Sequence, residues 1–205
     1  MTLMLTSLRN LLLAALATAA RPNALALVPA CAWAAGVAIR RDADWRSVIA
    51  PALAPVGALA FHAYLWWRTG RMDAWQLIQR NGWDEQVDLG VHNAQRLGSL
   101  VRWSDPDPGT VLLGLGVLVV AAGAWALWRW RPPGALTIYA AAVLGLAVVA
   151  RTLGPRPRFV LTALPLVWAL AVWLRGERFR AVLLASSGGL AVVAVLYIVG
   201  SVAKL

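Results

Sequence analysis

Three polar segments interrupt an otherwise apolar chain, and each carries side chains suited to anions or sugar hydroxyls. Residues 151–159 read Arg-Thr-Leu-Gly-Pro-Arg-Pro-Arg-Phe. Two prolines and a glycine predict an irregular, extended turn, and it concentrates Arg151, Arg156 and Arg158. A guanidinium offers a planar fork of donors that grips phosphate oxygens in pairs, which an ammonium cannot do. Headgroup anchoring is the plainer use of the same residues. The second segment is Arg21-Pro22-Asn23. Proline removes a helical donor and disfavours helix at the residue before it, which predicts a break near the membrane surface. An Arg and an Asn there could hold a phosphate or sugar hydroxyls; a simple turn with a snorkelling Arg is the alternative. The third segment, 68–110, mixes Trp with polar residues, among them Gln79, Trp83 and Asp84.

Other groups able to do chemistry are sparse. His62 lies in an apolar stretch, where a polar side chain is a functional candidate by default; with no visible partner, packing or an interhelical hydrogen bond is the expectation. Asp84, Asp88 and His92 are spaced i, i+4, i+8, but Gly82 and Gly90 argue against one continuous helix, so no metal site is expected. Cys31 is the single cysteine, which allows no internal disulfide and reads as a packing residue. Asp73, Asp84, Glu85, Asp88, Asp105 and Asp107 are candidates for acid/base work, and none stands out. The chain has no Walker-type glycine loop, no nucleophile elbow and no zincin motif. No cofactor is implied with certainty.

The elements that must position these residues are membrane helices. The 205-residue chain is 60% hydrophobic, against about 45–50% for soluble domains, and its mean hydropathy is +0.67. The apolar residues fall in blocks at 48–67, 111–128, 135–150, 159–174 and 181–200, with shorter blocks at 25–39 and 11–20. A bilayer crossing takes about 20 such residues. The expected fold is therefore all-α: one polytopic transmembrane bundle over 1–205, with six to seven spans. The start is not read as a signal peptide, because a single basic residue precedes the apolar run and no soluble mature domain follows. Gly114, Gly116 and the pair Gly188-Gly189 lie within the blocks and predict close helix packing.

The net charge of +10 sits in short connectors rather than on one face. It reads as orientation signal, headgroup contact or phosphate binding, and no nucleic-acid partner is expected. One side of the membrane holds Arg9, Arg40, Arg41, Arg46, Arg129, Arg131, Arg175, Arg178 and Arg180. The short loops of the other side hold Arg21, Arg151, Arg156, Arg158 and Lys204. The more basic side is then cytoplasmic, and all three polar segments share the extracytoplasmic face. Segment 68–110 exceeds the roughly 12–15 residues of an ordinary loop. It is expected to form an amphipathic pair of interfacial helices, one over 73–84 closed by Gly82 and one over 86–103.

Three runs carry a family resemblance: Ala17 to Leu25 (ATAARPNAL), Trp75 to Trp83 (WQLIQRNGW) after a helix ending in Tyr64-Leu65-Trp66-Trp67, and Arg156 to Leu166 (RPRFVLTALPL). In order and spacing they resemble the C-terminal half of the PIG-V family of mannosyltransferases, in its bacterial branch, over roughly 11–200 of the chain. The resemblance implies a GT-C type membrane enzyme of the bacterial plasma membrane, which takes a sugar from a polyprenyl-phosphate donor on the outer face. It places Arg21 and Asn23 at the mouth of the donor or acceptor site. Arg151, Arg156 and Arg158 would hold the donor phosphate, and Gln79, Trp83 and Asp84 would belong to the loop over the sugar. One departure matters. The family's candidate catalytic acid lies in a first outer loop near the N-terminus, and nothing here occupies that place. Trp83-Asp84 has the right residue types in a later loop, so the catalytic role is not carried to it. The resemblance therefore implies a missing N-terminal half or a partner chain. The competing expectation is a non-catalytic accessory or lipid-binding membrane protein.

Overall fold

The structure, a computed structural model, describes residues 12–83, 87–104, 108–149 and 162–202. Every regular element among them is helical. Helix α1 covers 12–20 and is followed by a 3-10 turn, Pro22–Ala26, and by α2, Leu27–Asp42. A second 3-10 turn, Trp45–Val48, leads into α3, Ile49–Leu53, and α4, Val56–Thr69. Helices α5, Ala74–Trp83, and α6, Val91–Val101, form the long connector. The remainder is α7, Pro108–Trp130, α8, Gly134–Val149, α9, Leu164–Trp173, and α10, Glu177–Val202.

Three stretches are long and apolar enough to cross a bilayer: Asn23–Asp42, Trp45–Thr69 and Gly109–Trp130. Helices α8 and α9 are apolar but shorter, at 16 and 10 residues. At 1.5 Å per residue α9 reaches only about 15 Å, half the thickness of a hydrocarbon core. The block expected over 159–174 thus contributes a half-length described helix.

Prolines divide the stretch Trp45–Thr69. Pro55 has no N–H to offer the carbonyl four residues back, so α3 ends and α4 starts afresh at Val56. In lipid such a break has to be re-satisfied by neighbours. The hydroxyl of Thr18, buried, lies 2.6 Å from the Ala54 carbonyl and 2.9 Å from that of Ala15. Beside it α1 and α4 touch without any intervening side chain: a Cβ added at Gly57 would lie 1.7 Å from the Ala15 carbonyl oxygen.

The core lies among α7, α8 and α9. Ala126 and Leu127 meet Ala140 and Val143, Ala163, Leu166 and Ala169, and Ala26 joins them from the 3-10 turn. Small residues suit this place, because lipid tails are as apolar as leucine and helices gain mainly by close approach. Gly123 admits Leu166 and Leu170, and Trp125 meets Trp173 edge to face at 5.3 Å.

Three expectations about glycine and helix ends are corrected. Helix α5 runs through Gly82 to Trp83 instead of closing at the glycine. Gly116, Gly188 and Gly189 have open space where a Cβ would stand, whereas Gly114 approaches the Leu100 side chain. Gly188 and Gly189 lie on α10, whose described side chains are all exposed. The second outer helix starts at Val91, five residues later than expected, because Leu89 and Gly90 both take positive φ. The Asp88 carboxylate then accepts the N–H groups of Gly90 and His92 at 2.9 and 3.0 Å, holding the first turn.

Candidate functional site

The break at Arg21 is built by local chemistry. Its N–H still bonds the Ala17 carbonyl at 3.0 Å, closing α1. Its own φ and ψ are extended, −147° and 130°, as the following proline demands. Pro22 then opens the 3-10 turn, and the Ala24 N–H returns to the Arg21 carbonyl at 3.0 Å.

The sequence predicts this break near the membrane surface, and it stands at the N-terminal end of Asn23–Asp42, a stretch long enough to cross a bilayer. Gly57 sits against the Ala15 carbonyl and the Ala19 N–H. Arg21 is two residues beyond Ala19, so its backbone is within about 8 Å of that contact. Thr69, the end of α4, is twelve residues from Gly57, or about 18 Å of helix. On the other flank the turn Pro22–Ala26 packs on α8, and Ala26 is buried with Ala140 and Val143, halfway along that helix. The break therefore stands beside the start of α4, and the turn that follows it rests on α8.

Among the described residues neither the Arg21 guanidinium nor the Asn23 amide has a hydrogen-bond or ion-pair partner; Arg21 is exposed and Asn23 half-buried. Ionisable groups inside a membrane domain are expensive and are usually paired or placed on a substrate path. On α8 the Tyr139 hydroxyl donates to the Thr162 carbonyl at 3.2 Å, and Ala163 is fully buried. Arg151, Arg156, Arg158 and Asp84 lie outside the described residues. The flanks of the triple-arginine run are placed: Val149 ends α8, and Thr162 returns to the level of Tyr139.

The connector that holds α5 and α6 is pinned to the C-terminal end of α8. The Asp88 N–H donates to the Val149 carbonyl at 3.2 Å, and a Cβ at Gly90 would approach the Val148 carbonyl at 3.0 Å. Gln79 is half-buried on α5, which packs on α4, and Trp83 is the last residue of that helix. No hydrogen bond joins Gln79 to Arg21 or Asn23, so the break and the expected sugar loop are not brought into direct contact among the described residues.

His62 has a local role. Its Nδ1 lies 2.8 Å from the Ala58 carbonyl one turn back, and its ring forms an edge-to-face group with Phe61 and Trp75. The described acids of the connector are also engaged. Asp73 receives a forked contact from Arg71, Nε to Oδ1 at 3.0 Å and Nη2 to Oδ2 at 2.9 Å. The hydrogen bond from Arg71 holds the Asp73 carboxyl below the usual carboxylate range. Asp88 caps α6. No group of three His, Cys, Asp or Glu side chains among the described residues could hold a metal ion. Residue types alone do not single out Thr18 or Tyr139; a hydroxyl facing a proline break is the signal that could have found the first. Neither a protein-family model, a curated protein nor a solved structure matches this chain.

Proposed function

We propose that this chain is a mannosyltransferase-like membrane glycosyltransferase, or part of one, that binds the phosphate of a polyprenyl-phosphate sugar donor from the extracytoplasmic side. The observation that carries the reading is a backbone break at which, among the described residues, the Arg21 and Asn23 side chains have no partner. A lipid-borne phosphate lies close to membrane depth and needs a cation there. Arg21 supplies one and Asn23 supplies donors and an acceptor for phosphate or sugar. Arg151, Arg156 and Arg158 add cations in the segment that starts at the end of α8, and Gln79, Trp83 and Asp84 belong to the connector over the site. With the shorter apolar helices and α10 counted, the bundle has six to seven crossings.

Transfer with inversion at the sugar needs a carboxylate base at the acceptor hydroxyl. Asp73 and Asp88 are occupied by Arg71 and by the start of α6. That observation favours a second reading, a lipid-phosphate-binding subunit without its own base. The test is sugar transfer in membranes supplied with a polyprenyl-phosphate hexose. Arg21→Gln and Asn23→Ala are expected to lower transfer at least tenfold with protein level unchanged, since one hydrogen bond to a charged group is worth about 1.5–3 kcal/mol. Transfer at the normal rate in both variants would sink the donor-site assignment. Donor binding without any transfer by the unsubstituted protein would select the second reading.

A further inference from the structure

A cavity of about 390 Å³ opens between the C-terminal end of α7 and the N-terminal end of α8, away from the helix break. Leu127, Trp128, Ala140, Ala141 and Leu166 line it, and Arg131 is the only charged residue on its wall. The sequence builds the mouth. Pro132 disfavours right-handed helix at Arg131, so α7 stops there: Arg131 takes a φ of 50° and its N–H closes on the Leu127 carbonyl. From Arg131 the lining reaches back to Ala124 on α7 and forward to Leu144 on α8. That is about two helical turns into the apolar layer.

The mouth bears the signature of a headgroup layer. Trp128, Arg129, Trp130 and Arg131 alternate aromatic and cation, the pattern of membrane–water interfaces. Arg131 is exposed and has no carboxylate partner among the described residues. It lies on the side that carries the excess of basic connectors, where the leaflet is anionic. A pocket with apolar walls, a cationic rim and an opening at headgroup depth has the shape and charge of one molecule of the surrounding leaflet. We infer that this cavity is a binding site for an anionic phospholipid, one acyl chain between α7 and α8 and the phosphate at Arg131. The site does not depend on the glycosyltransferase reading.

Native mass spectrometry of the full chain, purified and mixed with phosphatidylglycerol or phosphatidylcholine of equal chain length, tests this. The unsubstituted protein should retain one phosphatidylglycerol about fivefold more than phosphatidylcholine, the effect expected of one surface cation on an anionic lipid. Arg131→Gln should abolish that preference while still holding either lipid. Ala141→Trp, at an exposed position on the wall, should lose the bound lipid itself, with a thermal midpoint in detergent showing that the protein is folded. Equal retention of the two lipids by the unsubstituted protein, or an unchanged preference in Arg131→Gln, would overturn the assignment. A photo-reactive side chain at 141 should label lipid in membranes; labelling a second polypeptide instead would overturn it as well.

Discussion

Helices α4 and α10 are both apolar and both contain glycine, yet they are held in opposite ways. At Gly57, α4 meets the backbone of α1 so closely that even a methyl group would enter the Ala15 carbonyl. Along α10 the pair Gly188-Gly189 meets nothing, and every described side chain is exposed. The same residue type thus marks a closed joint in one helix and an open face in the other. What differs is the partner: α4 carries a proline break whose Ala54 carbonyl receives a hydroxyl from a neighbour, and Thr18 on α1 provides it. α10 has no such break and presents no backbone group that calls for a second helix.

The largest expected effect is at the closed joint. Gly57→Val should destabilise the protein by about 3 kcal/mol or more, because the obstacle is backbone and cannot rotate away. Loss of the monodisperse peak, or a thermal midpoint lowered by many degrees, would show it; a midpoint equal to that of the unsubstituted protein would mean that α1 does not rest on α4. Thr18→Val keeps the shape but removes the hydroxyl, leaving the Ala54 carbonyl without that donor. About 1–2 kcal/mol of stability should go, measured by thermal unfolding in detergent. The open face predicts the reverse. Gly188→Ala combined with Gly189→Ala should leave stability unchanged or raise it by under about 1 kcal/mol per site, from helix propensity alone. A large loss there would show that a second chain packs on α10. At the start of α10, Arg180 donates to Glu177 at 3.0 Å across an exposed surface. Glu177→Gln should not move the midpoint measurably, since water screens such a pair.

Much of the helical plan was legible in the residues. The runs around 25–39, 48–67 and 111–128 are apolar along most of their length, and each falls within a helical stretch long enough to cross a bilayer. The Arg21 break was legible too, because proline dictates backbone at its own position and the one before. Its neighbours were not: the residues of α4 and α8 that stand beside it are about 30 to 120 residues away in the chain. For the same reason the glycines could be counted but not sorted. Gly57 drew no notice in the sequence, whereas Gly188 and Gly189 suggested packing that α10 does not make. Helix α6 was placed too early because the capping role of Asp88 arises from a left-handed turn at Leu89 and Gly90, not from its apolar pattern.

By itself, then, the sequence determined that the chain is apolar enough for a membrane, where it folds into helices, and where proline and glycine interrupt them, since these follow from local side-chain chemistry and solvent. Only the tertiary structure decided that the Arg21 break stands beside α4 and α8, that Thr18 serves the Ala54 carbonyl, and that α7 and α8 leave a cavity under Arg131. Those facts depend on distances between residues far apart in the chain, and hydropathy and backbone preference do not encode them one position at a time.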